Sequence, residues 1–139
     1  MTRIKSNCMA MARTAVAVAF IAGASIGALA QTAPLMAKAG LDGHATNGKT
    51  LYQACAACHS IDDNDIGPRH RGVLGRRAGS VADYSYSAAL KQSGITWNET
   101  TLDRWLTNPS AFVPGTKMFF KIDDAQSRAD IIAYLKEQK

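Results

Sequence analysis

Apolar residues recur at three- and four-residue steps in several short segments of this chain, and no long stretch alternates between apolar and polar residues. That spacing is typical of helices that bury one face. It predicts one helix from about Ala45 that carries the segment around Cys55, and further helices over Ser85–Gln92, Asn98–Thr107 and from about Asp124. The fold class is therefore predicted to be all-α, with about four short helices.

Glycine and proline separate the predicted helices. Gly67-Pro68 is expected to stop regular structure, and the glycines that follow it predict a loop. A second irregular loop is predicted over Ser110–Lys121, around Pro114-Gly115.

The N-terminal segment differs in composition from the rest of the chain. Basic residues precede an uncharged stretch of 17 residues from Thr14 to Ala30, which closes on the small-x-small pattern Ala28-Leu29-Ala30. We interpret residues 1–30 as a signal peptide, residues 31–42 as a linker and residues 43–139 as the folded domain. An uncleaved membrane anchor is the alternative, because 17 residues are the lower limit for a helix that crosses a bilayer.

Removal of the signal peptide would leave 13 Lys and Arg against 11 Asp and Glu. A net charge this small gives no reason to expect nucleic-acid binding, so the distribution of the charges matters more than their sum. The acids gather in two groups, at Asp62, Asp63, Asp65 and at Asp123, Asp124. The basic residues cluster elsewhere, in one loop and beside Met118, at Arg69, Arg71, Arg76, Arg77, Lys117 and Lys121. An uneven surface charge is predicted.

The chemistry is concentrated in Cys55-Ala56-Ala57-Cys58-His59. On a helix, the two thiols can add to the two vinyl groups of one haem while the adjacent imidazole reaches the iron. A redox disulfide would need a βαβ context, and a structural zinc site would need four ligands although no third cysteine remains after removal of the signal. The motif therefore favours one covalently attached haem c and its iron.

Beyond this motif, the segment from Gly48 to Leu135 resembles class I c-type cytochromes of the mitochondrial-like bacterial type. The resemblance implies the small cytochrome c fold wrapped around one haem c, with residues 43–139 as the cytochrome c domain. The matching strings are Cys55-Ala56-Ala57-Cys58-His59, Gly67-Pro68, Gly72-Val73-Leu74-Gly75-Arg76, Tyr86-Ser87, Ser93-Gly94-Ile95-Thr96-Trp97, Val113-Pro114-Gly115-Thr116-Lys117-Met118 and Arg128-Ala129-Asp130-Ile131-Ile132-Ala133-Tyr134-Leu135.

The resemblance also implies roles for individual residues. Met118 would be the second axial ligand of the iron, opposite His59, and its neutral thioether would raise the reduction potential. Pro68 would offer its carbonyl to the free ring nitrogen of His59. The residues implied as contacts of the haem propionates are Arg76, Tyr86, Trp97 and Thr116.

Several positions depart from the family pattern. His70 lies where the family usually has leucine, so it is either a rival iron ligand or a tolerated polar neighbour. One residue too few separates Tyr52 from Cys55, and we expect Leu51 to take the place of the aromatic in helix packing. Trp105 replaces a common tyrosine and Leu90 a position that is often polar, which predicts few hydrogen bonds behind Met118.

The implied function is single-electron transfer, not catalysis, by a monomeric protein exported to the periplasm. The expected partners are a cytochrome bc complex, a terminal oxidase, a photosynthetic reaction centre or periplasmic dehydrogenases, which would approach through a basic surface. Two alternatives stay open. One is a dedicated haem subunit of a single dehydrogenase, and the other is a peroxidase or gas-binding protein in which the methionine leaves the iron.

Overall fold

The computed structural model describes residues 41–139, so the predicted signal peptide and most of the predicted linker lie outside the described residues. Within 41–139 the regular structure is helical, with no strand and a single antiparallel bridge between Arg77 and Thr96. The all-α prediction is confirmed. No helix in this range is long and apolar enough to cross a membrane. The elements are α1 (Ala45–Leu51), a 3-10 turn (Tyr52–Ala54), α2 (Ala88–Gln92), α3 (Glu99–Thr107), α4 (Pro109–Phe112) and α5 (Ala125–Glu137).

The helix ends follow from local sequence, with three differences from expectation. Helix α1 ends at Leu51, before the cysteine motif that it was expected to carry. Asn98 caps α3 as predicted, and its side chain and that of Thr101 each accept the other's backbone N–H at 2.8 Å. Helix α2 begins at Ala88, three residues later than predicted, because Ser87 caps it. Helix α4 lies where only loop was predicted, since the Asn108 side chain caps a turn that begins with a proline.

Helices α1 and α5 cross in close contact at Gly48. A Cβ atom at Gly48 would overlap the carbonyl of Asp130 and press on Tyr134, so only glycine lets the two backbones approach this far. Just beyond α1, Tyr52 is 5% exposed and its ring lies 5.2 Å from that of Tyr134. Leu51 is 36% exposed, so the expectation that it replaces the aromatic was wrong. The 3-10 turn tightens the chain at this point and brings Tyr52 onto α5 instead.

The core lies between α3, α5 and the loops that surround them. Leu102, Trp105 and Leu106 of α3 are buried, and so are Ile131 and Leu135 of α5. An ion pair also joins the two helices, because the side chain of Arg128 donates to Asp103 at 2.7 Å and to the carbonyl of Ile122 at 2.9 Å. Arg128 is 8% exposed, so these bonds satisfy a buried cation.

The close approach of α1 and α5 gives a stability prediction. Gly48→Ala is expected to lower the free energy of unfolding of the haem-loaded protein by about 1–3 kcal/mol, because the added methyl group must push the helices apart. Alanine would otherwise favour a helix over glycine by about 1 kcal/mol. Guanidinium unfolding measures the change. Thr50→Ala, at an exposed position of the same helix, is the control and should stay within about 0.5 kcal/mol of the parent. Equal stability of the two variants would contradict the prediction.

Candidate functional site

The cysteine motif follows α1 and the 3-10 turn as a further hydrogen-bonded turn. The N–H of Cys58 donates to the carbonyl of Cys55 at 3.0 Å, and that of His59 donates to the same carbonyl at 2.9 Å. The four-residue step puts Cys55 and His59 on one side of the turn. Both cysteines are free thiols, Cys55 half-buried against the core and Cys58 exposed. Burial raises the pKa of the Cys55 thiol to about 11, which is unlike the acidic thiolate of a disulfide oxidoreductase.

The imidazole of His59 has a defined orientation and tautomer. Its Nδ1 lies 2.8 Å from the carbonyl of Pro68, the contact that the resemblance implied. A carbonyl can only accept, so Nδ1 carries the proton and Nε2 keeps a free lone pair. Burial lowers the pKa of His59, which favours this neutral form. Gly67 packs so closely on the ring that a Cβ atom there would overlap it. His59 is therefore prepared to bind a metal through Nε2.

Met118 lies in the loop between α4 and α5, half-buried against the same core as Cys55. The indole N–H of Trp105 points to its sulfur, with 3.2 Å between Nε1 and Sδ. The backbone N–H of Met118 is 3.5 Å from the hydroxyl of Thr116, which is 8% exposed. The sequence predicted few hydrogen bonds behind Met118 because a tyrosine is replaced. The indole supplies one, and it holds the thioether in place.

His70 stacks on His59, with 4.1 Å between the ring centroids and 20° between the ring planes. Its Nδ1 is 3.0 Å from the hydroxyl of Tyr52. Burial, assisted by the nearby charges of His59 and Arg76, lowers the pKa of His70 to about 3. A neutral imidazole therefore lies against the face of His59 at physiological pH. Sequence reasoning missed this pair, because nothing local links positions 52 and 70.

The residues implied as propionate contacts form two groups. Arg76 is half-buried and donates to the carbonyls of Arg69 at 2.7 Å and Arg71 at 2.9 Å. Its backbone carbonyl also accepts the N–H of the buried Trp97 at 2.9 Å. Burial raises the pKa of Tyr86, and the charge of Arg76 opposes that rise. Thr116 belongs instead to the Met118 loop.

The surface charges are less segregated than the sequence suggested. Arg69 pairs with Asp83 at 3.1 Å, Arg71 pairs with Asp62, and Lys121 pairs with Asp123 at 2.8 Å. Part of the basic loop is therefore neutralised locally by acids that were expected to lie elsewhere. The basic residues for which no ion pair is found within residues 41–139 include Lys49, Arg77, Lys91 and Lys117.

The donors at this site fit haem c better than a zinc ion. In the part of the chain that the structure describes, no group of three or more His, Cys, Asp or Glu residues is arranged to hold a metal. What the site offers is two free thiols and a neutral imidazole in one turn, together with a thioether oriented by Trp105. Two covalent attachment points and two soft or neutral axial donors are the requirements of a haem c of the His/Met class.

Comparisons with known proteins agree. The family model described as Cytochrome c matches residues 45–139. The chain is similar to cytochrome c2 of Rhodomicrobium vannielii, with 43% identity over 100 residues that cover 69% of this chain and 80% of that protein. It is similar to cytochrome c of Gibberella zeae, with 46% identity over 100 residues that cover 68% of this chain and 94% of that protein.

Solved structures give the same result. Cytochrome cH from Methylobacterium extorquens matches with a TM-score of 0.66 and 47% identity, over 68% of this chain and 99% of that one. Ferricytochrome c2 from Rhodopseudomonas palustris matches with a TM-score of 0.66 and 34% identity, over 69% of this chain and 99% of that one.

In such proteins haem c is bound covalently through cysteines, and Cys55 and Cys58 provide them here. The helical fold, the turn that presents two thiols and an imidazole, and the match over residues 45–139 all lead to one conclusion. The chain belongs to the cytochrome c family, whose members are electron carriers and not enzymes.

Proposed function

We propose that this cytochrome c carries single electrons in the periplasm between redox complexes, with His59 and Met118 as the two axial ligands of its haem iron. The observation that carries the proposal is the hydrogen bond from His59 Nδ1 to the Pro68 carbonyl, because it leaves Nε2 as a neutral donor in the turn that holds both cysteines. Haem c, when bound, supplies a one-electron iron couple.

The protein's part in electron transfer is to set the reduction potential and to limit the movement of the iron ligands when the iron changes oxidation state. The thioether of Met118 is a soft, neutral donor that favours ferrous iron over ferric iron. The N–H of Trp105 directs its positive end at that sulfur, which further disfavours the more positive ferric state. Trp105 is 7% exposed and packs on Trp97 at 5.3 Å, so the donor is held rigidly. A rigid ligand set is suited to an electron carrier.

The same contact argues against a peroxidase or gas-binding protein. That alternative requires Met118 to leave the iron easily, whereas the hydrogen bond from the Trp105 indole holds its sulfur against the core.

A dedicated subunit of one dehydrogenase would use the same ligands as a free electron carrier and differ from it only in having a permanent partner. Gel filtration of native extracts separates these two, because a shuttle elutes alone and a subunit elutes with the dehydrogenase.

The signal-like composition of residues 1–30 supports export to the periplasm. The expected partners are a cytochrome bc complex, a terminal oxidase, a reaction centre or periplasmic dehydrogenases. Basic residues that form no ion pair within the described residues would steer the protein to acidic docking faces. Lys117 is the best placed, since it precedes Met118 and its ammonium group donates only to the carbonyl of Ser85, at 2.8 Å.

The axial assignment is tested by the absorption spectrum of the oxidised protein. The parent is expected to show the weak long-wavelength sulfur-to-iron band, and Met118→Ala is expected to abolish it and to lower the reduction potential, because the thioether is lost. Phe119→Ala, at the adjacent side chain with 78% exposure, is the control and should keep the band. A parent protein without the band would refute the His/Met assignment.

The indole bond gives a second prediction. Trp105→Phe removes the N–H that faces the Met118 sulfur and keeps an aromatic ring in the core. If the bond has a typical net value of about 0.5–1.5 kcal/mol, the reduction potential should fall by roughly 20–65 mV for this one-electron couple. Equilibrium redox titration measures the shift. Phe112→Leu is the control, because it alters another partly buried aromatic side chain of the same core, and equal shifts in both variants would contradict the prediction.

Steering is tested with hexacyanoferrate(III), an anionic oxidant that needs no docking partner. Lys117→Gln and Lys136→Gln each remove one positive charge, so they alter the net charge equally. Lys117 lies beside the proposed ligand, whereas Lys136 pairs with Glu99 at 2.6 Å between α5 and α3. We expect Lys117→Gln to slow oxidation severalfold at low salt and to weaken the salt dependence, with little effect of Lys136→Gln. Equal effects of the two substitutions on the oxidation rate would contradict the prediction, because they would show that only the net charge of the protein sets the rate.

A further inference from the structure

A polar pair of side chains lies beside His59 in a position where the resembled family usually has an apolar residue. Tyr52 is 5% exposed, and its hydroxyl is 3.0 Å from Nδ1 of His70. The imidazole of His70 in turn lies nearly parallel to that of His59, with centroids 4.1 Å apart. Tyr52 is buried and His70 is half-buried, and polar groups withdrawn from water are costly unless they are hydrogen-bonded, so the pair requires a defined geometry.

Three contacts restrain the His59 ring, and each restrains a different motion. The Pro68 carbonyl accepts a hydrogen bond from Nδ1 at 2.8 Å, and a single hydrogen bond still permits the ring to tilt about its axis. The backbone of Gly67 lies against the ring, with no room for a Cβ atom. His70 covers a face of the ring, and a stacked ring opposes the tilt. Without His70, the hydrogen bond and the contact with Gly67 would leave the orientation of the His59 ring plane less well defined.

His70 is itself held from the other side of the molecule. Its ring meets that of Tyr52 edge-on, with centroids 5.7 Å apart. Tyr52 packs at 5.2 Å on Tyr134 of α5, which is part of the rigid helix crossing at Gly48. A continuous series of rings therefore connects α5 to the face of His59. Because His70 lies beside His59, it is not placed to take the second axial position of an iron bound at His59 Nε2.

We propose that His70, held by Tyr52, is a positioning residue that fixes the plane of the His59 imidazole and so tunes the electronic structure of the iron bound to it. The proposal rests on the proposed function, in which His59 is an axial ligand. The orientation of an axial imidazole and the polarity around it are two of the means by which a protein sets the potential of a haem.

The test compares four variants of the haem-loaded protein: Tyr52→Phe, His70→Leu, the two combined, and Tyr134→Phe. The readouts are the electron paramagnetic resonance g-values of the ferric form, the hyperfine-shifted resonances of His59 and the reduction potential. Leucine is the residue usual in the family at position 70, so His70→Leu is expected to fold. Tyr134→Phe is the matched control, since it removes a hydroxyl from the same series of rings without touching the hydrogen bond to His70.

We expect Tyr52→Phe and His70→Leu each to shift the g-values and the His59 resonances. His70→Leu should also raise the potential, because an apolar neighbour disfavours the more charged ferric state. The double variant should match His70→Leu alone, since Tyr52 acts through His70, and Tyr134→Phe should match the parent.

Unchanged g-values and potential in His70→Leu, with only a loss of thermal stability, would overturn the proposal and leave the pair a structural element. A shift in the double variant beyond that of His70→Leu would overturn the role given to Tyr52. A parent protein without a His/Met signature would instead refute the proposed function, so the two failures are distinguishable.

Discussion

The hydrogen bond between His59 Nδ1 and the Pro68 carbonyl is the contact on which the site depends. It joins the turn that carries the thiols to the loop that begins at Gly67, and the N–H of Gly67 reinforces the crossing by donating to the carbonyl of Cys58 at 2.6 Å. Because the acceptor is a carbonyl, the bond decides the tautomer as well as the orientation of the ring. Without it, only the packing of Gly67 and His70 would restrain the ring, and the proton could lie on either nitrogen.

The two proposed axial ligands come from distant parts of the chain, and helix α5 links the supports of both. The segment that leads to His59 packs on α5 through Gly48 and Tyr52. Helix α3, which carries the Trp105 donor to Met118, is joined to α5 by the buried Arg128 and its bond to Asp103. Packing transmits rigidity across such contacts, because interiors are dense and side chains keep single rotamers. The separation of the ligands is thus set by helix packing far from either of them.

Some basic residues have their charge offset by a neighbouring acid or by carbonyl groups, and others do not. Arg69 and Arg71 pair with acids at the surface, while Arg76 turns inward to backbone carbonyls. Exposed pairs of this kind contribute little to stability, but they weaken the local field of the cation. The proposed steering of partners would therefore depend on a smaller set of residues, such as Arg77 and Lys117, than a count along the loop would indicate.

Features that depend on neighbours along the chain were predictable from the sequence. The spacing of Cys55, Cys58 and His59 named the chemistry, the helical periodicity gave the fold class, and Asn98 marked the start of α3, because turns and caps form between residues a few positions apart. Helix α4 was missed, since the cap formed by Asn108 precedes only one turn and gives too short a pattern to recognise.

Contacts between residues far apart in the chain became known only from the folded structure. Tyr52 and His70 are 18 positions apart, and Trp105 and Met118 are 13 apart. No local pattern specifies such pairs, because they form only when a loop folds back onto a helix and the bonding groups are buried together. Leu51 is a further case: the sequence placed it inside, but it is the last residue of α1 and is 36% exposed, because the 3-10 turn that follows brings Tyr52 onto α5.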